Sequence, residues 1–178
     1  MSTTRTWTEP DLMALPKDGR KRELVDGEIR VTTASLLHGH VIMQLGWRLG
    51  HFLSQNDLGW AFGDSLGCWM PSGNLRVPDC VFVAKEKLPR GLEPGFLRVP
   101  PDLVVEVLSP GDSERAVLDK VGEYLQAGVR LAWVIDPEAR RASVHRSLTS
   151  VRAIGEDDWL EGEDVLPGFR CLLRDVLP

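Results

Sequence analysis

Apolar residues recur at helical spacing in two stretches of this chain. From Ser35 to about Asn56, apolar side chains return every three or four residues, which is the period of one face of an amphipathic helix. The same period returns from about Asp112 to Ala127, and Gly128 follows as a residue that commonly ends helices. These patterns predict two substantial helices.

Dense apolar runs in the second half of the chain predict strands. The runs are VPDCVFVAK, PDLVVEVLSP and RLAWVIDP. Apolar runs of this length, bounded by proline, are typical of strands that are covered on both faces. Because strand, helix and strand follow one another, the sequence predicts a helix packed across a mainly β core, with a parallel crossover.

Shorter elements are predicted towards both ends. Residues 8–16 are predicted to form a short capped helix, and Asp26-Gly27 joins two runs that could pair as a hairpin. Strand candidates follow near Trp60 and Cys68. Near the C-terminus, RASVHRS is expected to form an edge strand, and the acidic stretch after it is expected to be a loose tail that ends in LPGFRCLLRDVLP.

Length and composition bound the class of protein. With 178 residues, the chain can bury a core without disulfides or metal ions as staples, and we expect one α/β domain over residues 1–178. The formal net charge of −5 argues against a strongly basic protein that coats nucleic acid, although a local basic patch stays possible. The three cysteines are widely spaced and form no CxxC pair, so they indicate neither a disulfide framework nor a zinc site.

The sequence carries no pattern of a targeting or membrane segment. The first fifteen residues contain acids and a proline where a signal peptide needs an apolar core. No stretch approaches the roughly 20 apolar residues of a membrane helix. We therefore expect a cytoplasmic protein without a membrane partner.

Two acids stand in or beside the apolar strands. Glu106 lies in the middle of LVVEVL, where an ionised carboxylate loses most of its hydration. Strand alternation places Asp79 on one face with Val81, and Glu106 on one face with Val104, so the two acids converge if their strands are neighbours in register. Two carboxylates held together repel each other, so either one binds a proton or a cation lies between them. A hard divalent ion such as magnesium or manganese suits carboxylate oxygens.

The second helix supplies a candidate cation. Its apolar stripe is predicted to consist of Leu118, Val121 and Leu125. Lys120 lies on the flank of that stripe, with Tyr124 one turn further on, so its ammonium could point at the carboxylates. A metal ion, two acids and a lysine are the groups needed to hydrolyse a phosphodiester.

The order of these motifs resembles a known family. The series RELVDGE, a helix with histidine near its start, VPDCVFV, PDLVVEVLSP, DKVGEYLQAGV, WVIDP and LPGF is similar to the Uma-type restriction endonucleases, a branch of the PD-(D/E)XK nuclease superfamily. The resemblance runs from about Thr8 to the C-terminus. It implies a restriction-endonuclease-like mixed β-sheet flanked by helices, and magnesium-dependent cleavage of DNA.

The resemblance also implies roles for individual residues. Asp79 matches the first acid and Glu106 the second, and both would hold the metal ion. The superfamily's lysine position, two residues after the second acid, holds Leu108 here. The family instead places its lysine on the following helix, which Lys120 matches. Glu23 matches the acid before the hairpin.

Three further positions are candidates for substrate contact. His38 matches the family's helix histidine and is expected to cap, pack or contact phosphate, and Tyr124 matches the helix tyrosine. Arg115 could assist a phosphate bound at the start of the second helix. In place of an aspartate that family members usually carry one turn before the lysine, this chain has Ala116, so a supporting partner is missing or is supplied by Asp119 or Glu123.

Each site residue also has a structural interpretation. A Pro-Asp dipeptide is common at strand starts and turns, so Asp79 alone carries little weight. Glu106 could form a structural ion pair with Lys120, and Lys120 alone could be a solvated flank residue. Glu23 could be a hairpin-edge charge.

The function therefore has two candidate classes. The first is a divalent-metal-dependent DNA endonuclease, which would cut duplex DNA as a homodimer with two sites, although each site could nick alone. The second is a nuclease fold kept as a nucleic-acid-binding or dimerising module without turnover. The acidic pI, near 5.4, and Ala116 favour the module, whereas the retained Asp79, Glu106 and Lys120 favour the enzyme.

Overall fold

The computed structural model describes residues 6–16, 18–32, 35–110 and 112–178. Its three α-helices are α1 (Glu9–Met13), α2 (Leu36–Gln55) and α3 (Glu114–Ala127). The strands of its first half are β1 (Lys21–Val25), β2 (Glu28–Thr32), β3 (Gly59–Phe62), β4 (Cys68–Trp69), β5 (Leu75–Arg76) and β6 (Cys80–Ala84). The strands of its second half are β7 (Leu103–Val107), β8 (Leu131–Asp136), β9 (Arg141–His145), β10 (Val151–Gly155), β11 (Trp159–Glu161) and β12 (Arg170–Leu172).

The described strands form three sheets. The largest has the strand order β10-β9-β8-β7-β6-β3, and the second has the order β2-β1-β5-β4, while β11 and β12 pair with each other. In the large sheet β7 and β8 are parallel and joined through α3, whereas the other pairs are antiparallel. The predicted parallel crossover and the predicted mixed sheet flanked by helices are confirmed.

The two long helices cover opposite faces of the large sheet. On one face Val41 and Leu45 of α2 pack in a cluster with Phe82 of β6. On the other face Val121 and Tyr124 of α3 pack in a second cluster with β-strand residues such as Val104. Burial of apolar side chains on both faces explains why β6, β7 and β8 are nearly continuous apolar runs.

Helix caps and a tight turn determine where several of these elements begin and end. Ser35 caps α2 by accepting a hydrogen bond from the backbone N–H of His38 at 3.2 Å, and Ser113 caps α3 in the same way. Between β1 and β2 the chain turns through Asp26 and Gly27, with φ angles of 52° and 77°. Two consecutive positive φ angles are typical of the type I′ turn that joins hairpin strands. The predicted hairpin and the predicted short capped first helix are confirmed.

Three expectations about the later part of the chain are wrong. RASVHRS is not an edge strand, because β9 lies between β8 and β10. The acidic stretch is not a loose tail, since it contains β10, β11 and β12 and buries Leu160 and Phe169 in the core. In α3 the buried stripe contains Val121 and Tyr124, whereas Leu118 is exposed.

None of the helices in the described part of the chain is both long enough and apolar enough to cross a lipid bilayer.

Candidate active site

The site forms where the chain passes from one sheet to the other. After β5 in the four-stranded sheet, residues 77–79 lead directly into β6 of the large sheet. Cys80 pairs with Val105 in the antiparallel register of β6 and β7, and the backbone N–H of Asp79 donates to the carbonyl of Val105 at 3.0 Å. Continuing this register places Asp79 opposite Glu106. The alternation pattern predicted that the two acids converge if their strands are neighbours in register. β6 and β7 meet that condition, so Asp79 and Glu106 do converge.

Asp79 is buried and contacts three hydrogen-bond donors. The ammonium of Lys21 lies 2.5 Å from its Oδ1. Its Oδ2 accepts a hydrogen bond from the backbone N–H of Val107 at 2.7 Å and lies 3.1 Å from Nε2 of His38. Burial alone raises the pKa of Asp79, but the hydrogen bond from His38 and the charge of Lys21 outweigh it and lower the pKa to about 2. Asp79 is therefore held as a carboxylate.

Glu106 is shared between two residues of α3. Lys120 donates from Nζ to Oε2 at 3.0 Å, and the hydroxyl of Tyr124 donates to Oε1 at 2.6 Å. Burial raises the pKa of Glu106, and the nearby charge of Asp79 adds to this effect, although Lys120 opposes it. The pKa of Glu106 is raised as a result, so a further positive charge beside Glu106 would stabilise its ionised form.

Lys120 also contacts the carboxylate of Glu23. Its ammonium lies 3.2 Å from Oε1 of Glu23, and the same oxygen accepts a hydrogen bond from the backbone N–H of Val77 at 3.0 Å. Burial lowers the pKa of Lys120, but the charges of Glu106 and Glu23 outweigh burial and raise the pKa above its ordinary value. Lys120 therefore remains a cation.

Arg76 extends this network away from Asp79 and Glu106. Its Nη1 lies 3.2 Å from Oε2 of Glu23, and its Nε lies 2.6 Å from Oε2 of Glu123. The other oxygen of Glu123 accepts hydrogen bonds from Ser72 and Asn74, each at 2.6 Å. This chain of contacts ties Glu23 to α3 and to the loop before β5, so the position of Glu23 is fixed from both sides.

The acids and lysines open onto a pocket of about 360 Å³. Its wall includes Lys21, Asp79, Glu106 and Lys120 together with other polar residues, namely Arg20, Thr32, His38, Asp64, Ser109 and Asp112. A pocket lined by mixed charges at the end of a sheet can admit an anionic group and a cation together.

The structure brings together five of the seven residues singled out by the sequence: Glu23, His38, Asp79, Glu106 and Lys120. Tyr124 reaches the site only through Glu106, and its side chain has no exposed surface with which to contact a substrate. Arg115 does not join the cluster, because its side chain is 92% exposed and its nearest acid is Asp119 at 4.0 Å.

Neither Asp119 nor Glu123, the two acids considered as replacements for the aspartate absent at position 116, forms an ion pair with Lys120 among the described residues, where Lys120 pairs with Glu23 and Glu106. Asp119 is exposed and lies beside Arg115, so it does not replace the missing aspartate. Glu123 instead reaches Glu23 through Arg76.

Sequence reasoning missed Lys21 and Arg76. Lys21 lies two residues before Glu23 on β1, so strand alternation places both side chains on one face. That spacing was the available signal for Lys21. Arg76 had a weaker signal, a cation in the apolar run that leads to Pro78 and Asp79.

The donor set fits a hard divalent cation. Asp79 and Glu106 offer carboxylate oxygens on facing strand positions, and magnesium is commonly bound through one or two carboxylates with water and substrate phosphate completing its shell. Across the described ranges, no cluster of three or more histidine, cysteine, aspartate or glutamate side chains could hold a metal ion by itself. The residues therefore fit an ion that keeps water ligands, and they do not fit an all-protein cage such as a structural zinc site.

Comparisons with known proteins agree with the resemblance seen in the sequence. A solved structure described as a putative nuclease belonging to DUF820, from Anabaena variabilis ATCC 29413, matches with a TM-score of 0.83 and 20% sequence identity. The match covers 95% of this chain and 96% of that one, and it shows that the two share a fold. No curated protein matches the chain. The Uma2 family model, described as "Putative restriction endonuclease", matches residues 9–175, and the chain therefore belongs to the Uma2 family.

Proposed function

We propose that this protein is a divalent-metal-dependent endonuclease that hydrolyses DNA phosphodiester bonds, and that residues 1–178 act as one nuclease-like domain. The observation that carries the proposal is the pairing of Asp79 with Glu106 across neighbouring strands, with Lys120 3.0 Å from Glu106. Family membership supports phosphodiester hydrolysis as the class of reaction.

Asp79 and Glu106 would hold the magnesium or manganese ion. When bound, the ion polarises the phosphate and lowers the pKa of a water molecule. Asp79 is suited to this task because its carboxylate is kept ionised by its donors. Tyr124 fixes the carboxylate of Glu106 from a buried position, so we assign it a positioning role in place of a substrate contact.

Lys120 would stabilise negative charge that develops on the phosphate during attack. An ammonium that stays charged and is fixed by two carboxylates is already oriented before the reaction, which reduces the cost of reorganisation. Glu23 would hold Lys120 in this position. His38 would steady Asp79 from the edge of the pocket, where it could also meet a phosphate.

Cleavage of supercoiled plasmid and single-stranded DNA tests the proposal. Each substrate is incubated with magnesium, with manganese and with chelator, using wild type, Glu106→Gln and Lys120→Met. We expect metal-dependent cutting that falls by at least about a hundredfold in both variants, the scale of losing one preorganised charged group. Sedimentation of the protein with and without a DNA duplex tests the homodimer that we propose for double-strand cutting.

The other end of β7 provides matched controls. Asp102 is a buried acid just before β7, and its carboxylate lies 3.0 Å from Lys87. Asp102→Asn and Lys87→Met therefore alter a similar pair away from the pocket, and both are expected to keep near-wild-type cutting. Equal loss in these controls would mean that the Glu106 and Lys120 variants fail through stability. DNA binding without any cutting would favour the module without turnover.

A further inference from the structure

Lys21 lies where a cation bound to Asp79 would compete with it. Oδ2 of Asp79 already accepts from the backbone of Val107 and contacts His38. Oδ1 is contacted by Lys21 at 2.5 Å. A divalent ion held by Asp79 would bind one of its carboxylate oxygens. Oδ1 is the oxygen without a backbone hydrogen bond, and the Lys21 ammonium already contacts it.

The charge of Lys21 also reaches the second acid. The positive charge of Lys21 acts to lower the pKa of Glu106, while the charge of Asp79 acts to raise it. Lys21, Asp79 and Glu106 therefore form one electrostatic group. The positive charge of Lys21 on Asp79 offsets part of the repulsion between the two facing carboxylates, which is also the task assigned to a metal ion there.

The formal charge of the ion-paired groups favours one cation or the other at Asp79. Within the described residues, the Lys21–Asp79 pair and the neighbouring ion pairs of Lys120 and Arg76 together contain four carboxylates, Glu23, Asp79, Glu106 and Glu123, and three cations, Lys21, Lys120 and Arg76. The formal sum is −1, and adding a dication would change it to +1. If Lys21 left the group at the same time, the sum would be 0. Like charges in a poorly solvated site repel strongly, so simultaneous occupation is unfavourable.

The Lys21 side chain borders a second cavity into which its ammonium could move. It lines both the active-site pocket and an adjoining hollow of about 630 Å³, and the two spaces also share Gly19, Arg20 and Asp64. The Lys21 side chain is 18% exposed, in contrast to the 3% of Asp79. A lysine has a flexible four-carbon stem. Rotation of that stem would carry the ammonium away from Asp79 into the adjoining hollow, where an anionic phosphate could be received.

We propose that Lys21 is a displaceable cation: a divalent ion competes with it for Asp79, and the released ammonium binds the phosphodiester that the ion presents. This inference rests on the proposed function, since it assigns Lys21 a role at the same metal site. Metal binding and phosphate binding are thereby coupled, because the ion frees the lysine only when it occupies the carboxylates.

Calorimetric titration of manganese into wild type, Lys21→Met and Lys87→Met tests the competition. Lys87→Met is the matched control, because Lys87 also contacts a buried aspartate but lies at the other end of β7. Removing the competing charge is expected to tighten manganese binding by about tenfold or more. The same Lys21→Met protein is expected to cut DNA more slowly. Unchanged or weaker manganese binding in Lys21→Met would overturn the proposal.

Chemical labelling gives a second readout that does not depend on folding of the variant. Wild type is treated with an amine-reactive reagent at fixed pH, with and without manganese, and modification of each lysine is quantified by mass spectrometry. We expect manganese to increase labelling of Lys21 severalfold and to leave Lys87 unchanged. Constant labelling of Lys21 in saturating manganese would contradict its release.

The two proposals fail in different ways. If neither wild type nor Lys21→Met binds manganese, the metal site itself fails and the proposed function falls with it. If both bind manganese equally and Glu106→Gln abolishes binding, the metal site stands and the displacement of Lys21 is wrong. Binding by Lys21→Met but not by wild type would support both the site and the competition.

Discussion

The hydroxyl of Tyr124 donates a hydrogen bond to Oε1 of Glu106 at 2.6 Å, from a side chain that has no exposed surface. Tyr124 is also the only tyrosine in the chain. One aromatic group therefore reports on the state of one site carboxylate, without interference from other tyrosines.

Alkaline titration is expected to reveal the burial of Tyr124. Burial raises the pKa of Tyr124 well above its ordinary value of 10.0, and the charges of Glu106 and Glu23 add to the increase. The unfolded chain ionises its tyrosine near pH 10, so the free energy of unfolding should decrease as the pH rises above that value. Absorbance at 295 nm should show no tyrosinate in the native protein until it unfolds.

Tyr124→Phe provides the baseline for that titration, because it leaves the chain without tyrosine. A native protein whose tyrosinate signal has its midpoint near pH 10, with far-UV circular dichroism still native, would contradict the buried contact with Glu106.

Acid titration is expected to reveal the donors around Asp79. Its pKa is lowered from 3.8 to about 2 by His38 and Lys21 against the effect of burial. The group therefore contributes stability above about pH 4, and this contribution is lost as the pH falls towards 2. A shift of this size corresponds to about 2 kcal/mol. Urea unfolding in chelator between pH 5 and pH 2 should show a decrease in wild type that is smaller by this amount in Asp79→Asn.

The exposed Asp157 supplies the comparison for Asp79. Its side chain is 79% exposed and pairs with Arg174, and exposed charges of this kind are largely screened. Asp157→Asn should therefore retain the wild-type pH dependence. If the free energy of unfolding had the same pH dependence in wild type and in Asp79→Asn, Lys21 and His38 would not stabilise the Asp79 carboxylate.

Strand alternation predicted the acid pair on the condition that the two strands are neighbours in register. Asp79 and Glu106 could be assigned to facing positions because β6 and β7 are adjacent in sequence, apolar and short, so few registers were available. The helical period likewise predicted that Lys120 would flank the buried face of α3. These residues lie on elements whose neighbours in space are also their neighbours in the chain.

The remaining part of the site could not be predicted in this way. Lys21 and Arg76 belong to the four-stranded sheet, and their contacts with Asp79 and Glu23 join residues more than fifty positions apart in the chain. The late strands were missed for another reason: in β10 and β11 only Ile154 and Leu160 are buried. Strands this short carry too few apolar residues to display a period of two.

Loss of Arg76 is expected to destabilise the fold strongly. Its side chain is 8% exposed and contacts both Glu23 and Glu123. Arg76→Met would leave two acids without their shared cation, and removal of one partner from a buried ion pair costs about 3–5 kcal/mol. Chemical unfolding at neutral pH measures this cost directly.

Arg174 is the matched surface arginine, since its side chain is 54% exposed and contacts only the exposed Asp157 among the acids of the described chain. Arg174→Met should cost less than about 1 kcal/mol. Adding Glu123→Gln to Arg76→Met should recover part of the loss, because it removes one of the unpaired charges. A cost for Arg76→Met that is no larger than that of Arg174→Met would mean that the network around Glu23 is not needed for stability.

Substitution by alanine is expected to lower the free energy of unfolding at Gly59 and to raise it at Gly46. Gly59 starts β3 with φ at +147°, and a Cβ there would lie 2.1 Å from the carbonyl oxygen of Val83. Gly59→Ala is expected to cost more than about 2 kcal/mol, because both the backbone conformation and the pairing of β3 with β6 would have to change. Gly46 lies inside α2, and a Cβ there would meet no atom within 4 Å.

Gly46→Ala is therefore expected to stabilise the protein by about 0.5–1 kcal/mol through helix propensity. Thermal and urea unfolding of both variants measure the two effects. Stabilisation by Gly59→Ala would contradict the close approach of β3 to Val83, and destabilisation by Gly46→Ala would mean that the outer face of α2 is covered in solution.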